Sequence, residues 1–265
     1  MEGLGNDFVV IDGTEKKVEL SPEVIAKLCD RRFGIGADGV LIVEPSKNAD
    51  FKMRVFNADG GEVEMCGNGA RCIANFLRHR GKVPGESVTL ETLSGVIEGG
   101  FTGDDVRVCL GEPILDGPAI PVNAEGHVID HCLKIGSREF TVTCVSMGNP
   151  HCVIFTDDIG DDAVGSFGPL LEADSFFPNR ANVEFVRVES EKEITVRVWE
   201  RGVGKTLACG TGAGASVVAS VLKGLTGREV TVCLDGGELV VEWADDDRVY
   251  ITGPAREVFE GRIEI

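Results

Sequence analysis

Two cysteines of this chain stand in matching surroundings: Cys66 in "EMCGNGARC" and Cys209 in "LACGTGAGA", each opening a Cys-Gly-x-Gly-Ala box that leads into a helical pattern. The first amides of a helix have no internal partner, and the helix dipole adds positive charge there, so such a terminus favours an anion. A cysteine in that place is expected to have a stabilised thiolate, with its pKa lowered from about 8.5. The glycines remove side chains that would keep a ligand from the same amides. Each box therefore offers an activated thiol beside a cradle for an oxyanion or carboxylate.

The boxes belong to an internal repeat. Displacing the chain by 143 residues lays 53–77 on 196–220 without a gap, and seven of those 25 positions are identical, both catalytic-type cysteines among them. The same register matches Gly5-Asn6 with Gly148-Asn149, Phe33 with Phe176, Val40 with Val183 and Val43 with Val186. Blocks sharing one offset indicate duplication. The chain thus reads as two homologous halves, 1–112 and 113–253, with the Pro- and Gly-rich stretch 111–123 as the crossing and 254–265 packing back onto the first half. "EFTVTCVSMGNPH" gives the second half an alternating strand before its Gly-Asn, whereas only Met1 and Glu2 fill that place in the first. One N-terminal strand of the first half is expected to be missing.

Taken singly, Cys66 or Cys209 would read as a buried packing residue at a tight turn. Duplication inside matching glycine loops points instead to chemistry. Two such sites facing each other across a pseudo-twofold cleft would put a thiol on each face of one planar substrate. That arrangement suits inversion of a carbon acid: one thiolate removes the α-proton and the opposite thiol returns one from the other side. Helix N-termini aimed at the substrate carboxylate would stabilise the carbanionic intermediate, with no cofactor and no metal required.

The elements that must position these thiols are legible as periodicities. Val-, Ile- and Thr-rich runs such as 7–12, 39–44, 87–92, 106–110, 140–146, 151–155, 193–199, 230–234, 239–243 and 249–252 read as strands. Helical patterns occupy about 22–31, 67–80, 167–173 and 211–223, the second and fourth starting directly after a cysteine. The expectation is an α+β fold rich in strands, with one principal helix per half.

Composition narrows the partners. A net charge of −18 opposes nucleic-acid binding. The acidic runs "DDIGDD" (157–162) and "DDD" (245–247) lack the glycine-punctuated pattern of a calcium loop and read as solvated surface. No stretch approaches the roughly 20 apolar residues of a membrane span, and "MEGLGNDF" lacks the regions of a signal peptide, so a cytoplasmic location without membrane partner is expected. Nine cysteines, none in a Cys-x-x-Cys pair, read as free thiols.

"GLGNDFVVID", "FNADGGEVEMCGNGARC", "VSMGNPHCV", "NRANVEFV" and "WERGVGKTLACGTGAGAS" resemble, in order and over essentially the whole chain, the diaminopimelate epimerase family. The resemblance implies two pseudo-twofold-related domains, each a mixed, mostly antiparallel sheet wrapped around a central helix, with the active site in the cleft between them. It implies reversible conversion of LL- to meso-2,6-diaminopimelate without pyridoxal phosphate, in lysine and cell-wall precursor synthesis, by a homodimer. By their boxes, Cys66 and Cys209 look like the two acid/base groups, with His151 and Glu200 assisting their ionisation. The amides of Gly67, Asn68, Gly210 and Thr211 would hold the carboxylate at the reacting carbon. Asn6, Asn57, Asn149, Asn182, Glu200 and Arg201 would read the remote amino-acid end, for which a guanidinium and a carboxylate are apt. His79, His127 and His131 have no comparable setting. Gly39, where some members carry glutamine, and Lys205, at a position often acidic, depart from the pattern.

Two other readings share the cysteines. One is an epimerase or racemase of proline, hydroxyproline or another amino acid; for so compact a substrate Asn149, Asn182, Glu200 and Arg201 would be superfluous. The other is a thiol redox sensor or metal-binding module in which Cys66 and Cys209 pair or coordinate.

Overall fold

Alternating apolar residues bounded by glycine, aspartate and proline become strands, and the two Cys-Gly boxes become helix starts, in the computed structural model, which describes residues 1–264. The chain divides into two contact units, one of Met1–Cys109 with the segment from Thr252 onward, the other of Leu110–Ile251. Among the described residues no helix is long and apolar enough to cross a membrane.

The first unit contains β1 (Glu2–Gly3), β2 (Asn6–Asp12), α1 (Pro22–Cys29), β3 (Gly39–Pro45), β4 (Phe51–Asn57), β5 (Glu62–Val63), α2 (Gly67–His79), β6 (Ser87–Thr92) and β7 (Gly95–Thr102); the chain leaves it in β8 (Asp105–Gly111). β1 pairs antiparallel with β2, β2 parallel with β3, β3 antiparallel with β4, and β4 antiparallel with β5 and parallel with β6. Two antiparallel pairings, β6 with β7 and β7 with β8, complete it.

In the second unit follow β9 (His131–Ile135), β10 (Arg138–Ser146), β11 (Pro150–Phe155), α3 (Asp161–Glu172), β12 (Asn182–Ser190), β13 (Glu193–Glu200), β14 (Gly204–Thr206), α4 (Gly210–Leu222), β15 (Glu229–Leu234) and β16 (Gly237–Trp243), and then β17 (Val249–Gly253). The pairing order repeats: β10–β11 antiparallel, β11–β12 parallel, β12–β13 and β13–β14 antiparallel, β13–β15 parallel, β15–β16 antiparallel. α2 and α4 coincide end to end under the 143-residue displacement, from Gly67 onto Gly210 and from His79 onto Leu222. The strand expected to be missing before Gly5-Asn6 is present as the two-residue β1, against nine residues in its counterpart β10.

Each principal helix lies inside its unit. α4 is buried from Gly212 through Ser220 on every side, which a helix tolerates only when it is enclosed. Its hydroxyls are satisfied internally, Ser216 Oγ donating to Gly212 O and Ser220 Oγ to Ser216 O, both at 2.7 Å. α2 is likewise buried from Gly67 to Leu77. α1 covers the other side of β3, with Ile25 and Leu28 against Val40 and Ile42. In the second unit the core gathers Phe140, Val142 and Ile154 with Leu171, Phe177 and Phe185.

α3 begins six residues before the helical pattern expected at 167, so the last two residues of "DDIGDD" are the exposed start of a helix. Asp161 and Asp162 occupy its first turn, where carboxylates meet the positive end of the dipole.

Several cysteines are core residues, and their burial sets a pH limit. Burial pushes the thiols of Cys72 and Cys144 from an ordinary 9.0 up to about 12. A raised folded value means the stability is intact below the unfolded pKa and is lost as pH rises toward the folded one. Each thiol then contributes a loss approaching about 4 kcal/mol near pH 12. Denaturation midpoints, measured under reducing conditions, are expected to be flat to about pH 8.5 and to fall steeply above it.

Candidate active site

In the first unit Cys66 is the N-cap of α2, with φ −141° and ψ 116°, and is half-buried. Its extended backbone sets the sulfur at the open end of the helix, ahead of Gly67 and Asn68. Asn6, at the start of β2, meets this box: its Oδ1 accepts from Cys66 Sγ at 3.9 Å and from Asn68 Nδ2 at 3.2 Å. Its own Nδ2 donates to Asp38 Oδ2 at 2.9 Å, and Arg31 bridges Asp38 and Asp7. Asn6 therefore stands beside the thiol.

Asn57 ends β4 on an exposed turn, across the ladder from Gly39. A Cβ on Gly39 would come within 2.4 Å of Phe56 O, so the backbone here requires glycine and leaves no room for the glutamine side chain. Arg71, which the sequence did not single out, is wholly buried under the first turns of α2. Its Nη2 donates to Asn68 Oδ1 at 2.9 Å, and no carboxylate lies within ion-pair distance of it among the described residues. A buried guanidinium there adds positive charge near the Cys66 sulfur.

In the second unit Cys209 caps α4 in the same conformation, φ −126° and ψ 114°. Its Sγ accepts from Gly212 N at 3.4 Å and lies 3.4 Å from Thr211 Oγ1. Glu200, the last residue of β13, accepts from Thr206 Oγ1 at 2.6 Å, and its carboxylate is close enough to Cys209 to act on the thiol electrostatically. The β13–β14 hairpin fixes the backbone of Glu200, which pairs with Gly204.

The electrostatics of Cys209 differ from the expectation. Burial pushes its thiol well above 9.0, and the Glu200 and Glu184 carboxylates push it further. Hydrogen bonds from Thr211 and Gly212 pull the other way without offsetting that rise. The helix terminus is present, but a dry pocket with two carboxylates outweighs it, so Cys209 rests as a thiol. Burial raises Glu200 too, with Glu184 adding to the rise, which brings this carboxyl closer to the range where it exchanges a proton with a neighbour.

Asn149 reaches the same box, its Nδ2 donating to Thr211 Oγ1 at 3.3 Å and its Oδ1 lying 3.0 Å from His151 Nε2. His151 is fully buried, with Nδ1 2.7 Å from Glu184 Oε1. Asn182 is buried at the start of β12 and serves the loop after β13: it donates from Nδ2 to Pro150 O and accepts from Arg201 N at 2.9 Å. Arg201 is exposed, with Nη1 donating to Asn179 O. Lys205 is held by Asp161 and Asp235, so its charge is answered locally.

Within the units, then, Asn6, Cys66 and Asn68 form one group, and Asn149, His151, Glu200, Cys209 and Thr211 another. Asn57 ends β4, Asn182 begins β12, and Arg201 stands in the turn after β13. Glu184, Thr206 and Arg71 were missed by sequence reasoning; the signal for Glu184 was a lone charge inside the apolar run "NVEFV". Among the described residues no group of three or more His, Cys, Asp or Glu is placed to hold a metal ion.

A family model described as diaminopimelate epimerase matches residues 1–115 and 143–258. A diaminopimelate epimerase of Desulfitobacterium hafniense is 50% identical, over 98% of this chain and 95% of its own. One from Desulforudis audaxviator is 51% identical, over 99% of this chain and 97% of its own. A crystal structure of a probable proline racemase from Agrobacterium radiobacter superposes with a TM-score of 0.68 at 16% identity, covering 96% of this chain and 88% of that one, a likeness of fold.

Proposed function

The chain belongs to the diaminopimelate epimerase family, and we propose that it interconverts LL- and meso-2,6-diaminopimelate by two-base proton transfer between Cys66 and Cys209. The observation that carries this reading is the pair of N-cap cysteines, each at the start of the buried principal helix of its unit.

In one direction Cys66 thiolate takes the α-proton and Cys209, resting as a thiol, delivers its own to the opposite face of the carbon. The electron pair left on the α-carbon spreads into the adjoining carboxylate. The amides of Gly67, Asn68, Gly210 and Thr211 meet that growing charge. In the reverse direction Cys209 must first become a thiolate. Glu200, whose charge acts on this thiol and whose own pKa is raised by burial, is the group fitted to accept that proton. His151 acts on the same thiol through Asn149 and Thr211.

For the remote zwitterion, the exposed Arg201 guanidinium suits the far carboxylate. Asn57, Asn149 and Asn182 supply amide donors and acceptors along the way, and Asn6 those nearest Cys66. We assign the enzyme to the cytoplasm, as a homodimer, by carry-over from the family.

Solvent deuterium incorporation at the α-carbon tests the substrate. Exchange with diaminopimelate, and none with proline or lysine, is expected; exchange with proline alone would transfer the assignment to the proline-type epimerases.

A further inference from the structure

Glu184 lies on β12 between Val183 and Phe185 with its side chain fully buried, and its Oε2 has no hydrogen-bond partner. A carboxylate so placed is costly unless it is paired. Its pairing is with His151, Oε1 to Nδ1 at 2.7 Å.

From His151 the contacts run in one line. Nε2 meets Asn149 Oδ1 at 3.0 Å, Asn149 Nδ2 donates to Thr211 Oγ1 at 3.3 Å, and Thr211 Oγ1 lies 3.4 Å from Cys209 Sγ. An amide oxygen only accepts, so Nε2 carries a hydrogen. The Thr211 oxygen accepts from Asn149, which leaves its own hydrogen free to point at the Cys209 sulfur. A proton must also sit between Nδ1 and Oε1, either on the ring or on the carboxyl. In both cases Nε2 remains a donor.

The first unit shows that the fold does not need this line. Under the 143-residue displacement Glu184 corresponds to Leu41 and His151 to Phe8. A Cβ on Gly69 would meet Leu41 Cδ2 at 2.9 Å, and a Cβ on Gly212 would meet Glu184 Oε1 at 2.7 Å: one pocket, filled by hydrocarbon in the first unit and by a carboxylate in the second. A box of the same geometry therefore forms on apolar packing alone.

We propose that Glu184 is a positioning residue for Cys209: by holding His151 Nε2 as a donor it orients the Asn149 amide and turns the Thr211 hydroxyl hydrogen onto the Cys209 sulfur. The hydroxyl and the Gly212 amide then stabilise the thiolate each time it forms, against the surrounding Glu200 of β13 and Glu184 itself, whose own titratable neighbours are His151 and Cys152 of β11 and Cys144 of β10. This rests on Cys209 being one of the two proton carriers.

The test reads histidine spectra and turnover in the whole chain. In ¹⁵N-histidine spectra at about pH 8, where a free imidazole is neutral, His151 Nε2 is expected to be protonated; an unprotonated Nε2 overturns the proposal. Glu184→Leu is expected to slow turnover about 10–100-fold, the worth of one hydrogen bond to a charged group. Thr211→Val should do the same, with no further loss in the double variant. Glu184→Gln, whose amide can donate to Nδ1 and keep Nε2–H, is expected to restore turnover to within about threefold of the parent and to remove any ambiguity from misfolding of the leucine variant. Equal loss in Glu184→Gln and Glu184→Leu, or additive loss with Thr211→Val, overturns it. Cys209→Ala separates the two readings: an active Cys209→Ala refutes the two-base assignment, whatever Glu184 does.

Discussion

Alanine at either Cys66 or Cys209 is expected to reduce epimerisation of LL-diaminopimelate by at least about 10²–10⁴-fold, the worth of a positioned proton-transfer group. Each direction needs one base and one acid, so either deletion stops both directions equally. The two variants should nevertheless differ in one respect. A protein left with one thiol can still remove and return the α-hydrogen on the side that thiol addresses. In deuterium oxide each variant should therefore label one stereoisomer without inverting it, and the two should label opposite ones. Near-parental turnover in either variant, or labelling of the same isomer by both, would refute the assignment. Alkylation followed by peptide mapping gives a check that needs no turnover, since Cys66, half-buried, should react before the buried Cys209.

Glu200→Gln is expected to make Cys209 more acidic and the enzyme slower. The Glu200 carboxylate is the largest contributor after burial to the raised Cys209 pKa, so its loss brings that value down. The pH at which Cys209 becomes alkylated should shift downward, and its labelling near neutrality should quicken. Turnover should fall by about 10²-fold or more, because the thiol has lost the group that accepts its proton. More thiolate with less catalysis is a combination that simple unfolding does not produce, provided the thermal transition is retained. An alkylation profile that stays in place would show that Glu200 does not act on Cys209.

The sequence exposes those features that depend on neighbours along the chain. α2 and α4 are legible to within a residue because a Cys-Gly start interrupts a strand pattern at one point: helices from 67 and 211 are expected, and Gly67–His79 and Gly210–Leu222 are found. α3 is only half legible, since Gly165, Gly168 and Pro169 break its apolar period. What holds it is tertiary: a Cβ on Gly168 would lie 2.6 Å from Trp199 Cγ, so the helix rests directly on β13. The same limit hides Glu184, whose meaning comes from His151, 33 residues away, and from Gly212. It also explains the sign at Cys209. A helix start is visible in the residues following the cysteine, while the dryness of the pocket and two carboxylates delivered by β12 and β13 are not.

The first unit is built from two separated stretches of chain, and this orders its making. Glu2 exchanges backbone hydrogen bonds with Arg256, both at 2.9 Å, and Asn75 Nδ2 donates to Ala255 O at 2.7 Å. On a ribosome those partners emerge only after all of the second unit has been synthesised. The usual order, in which the earlier domain folds first, is therefore expected to reverse here. The second unit can settle while the first waits for its closing segment, so Cys66 and its helix are the later of the two boxes to be secured. A thiol finished last has less time exposed as a mature nucleophile before the protein is whole.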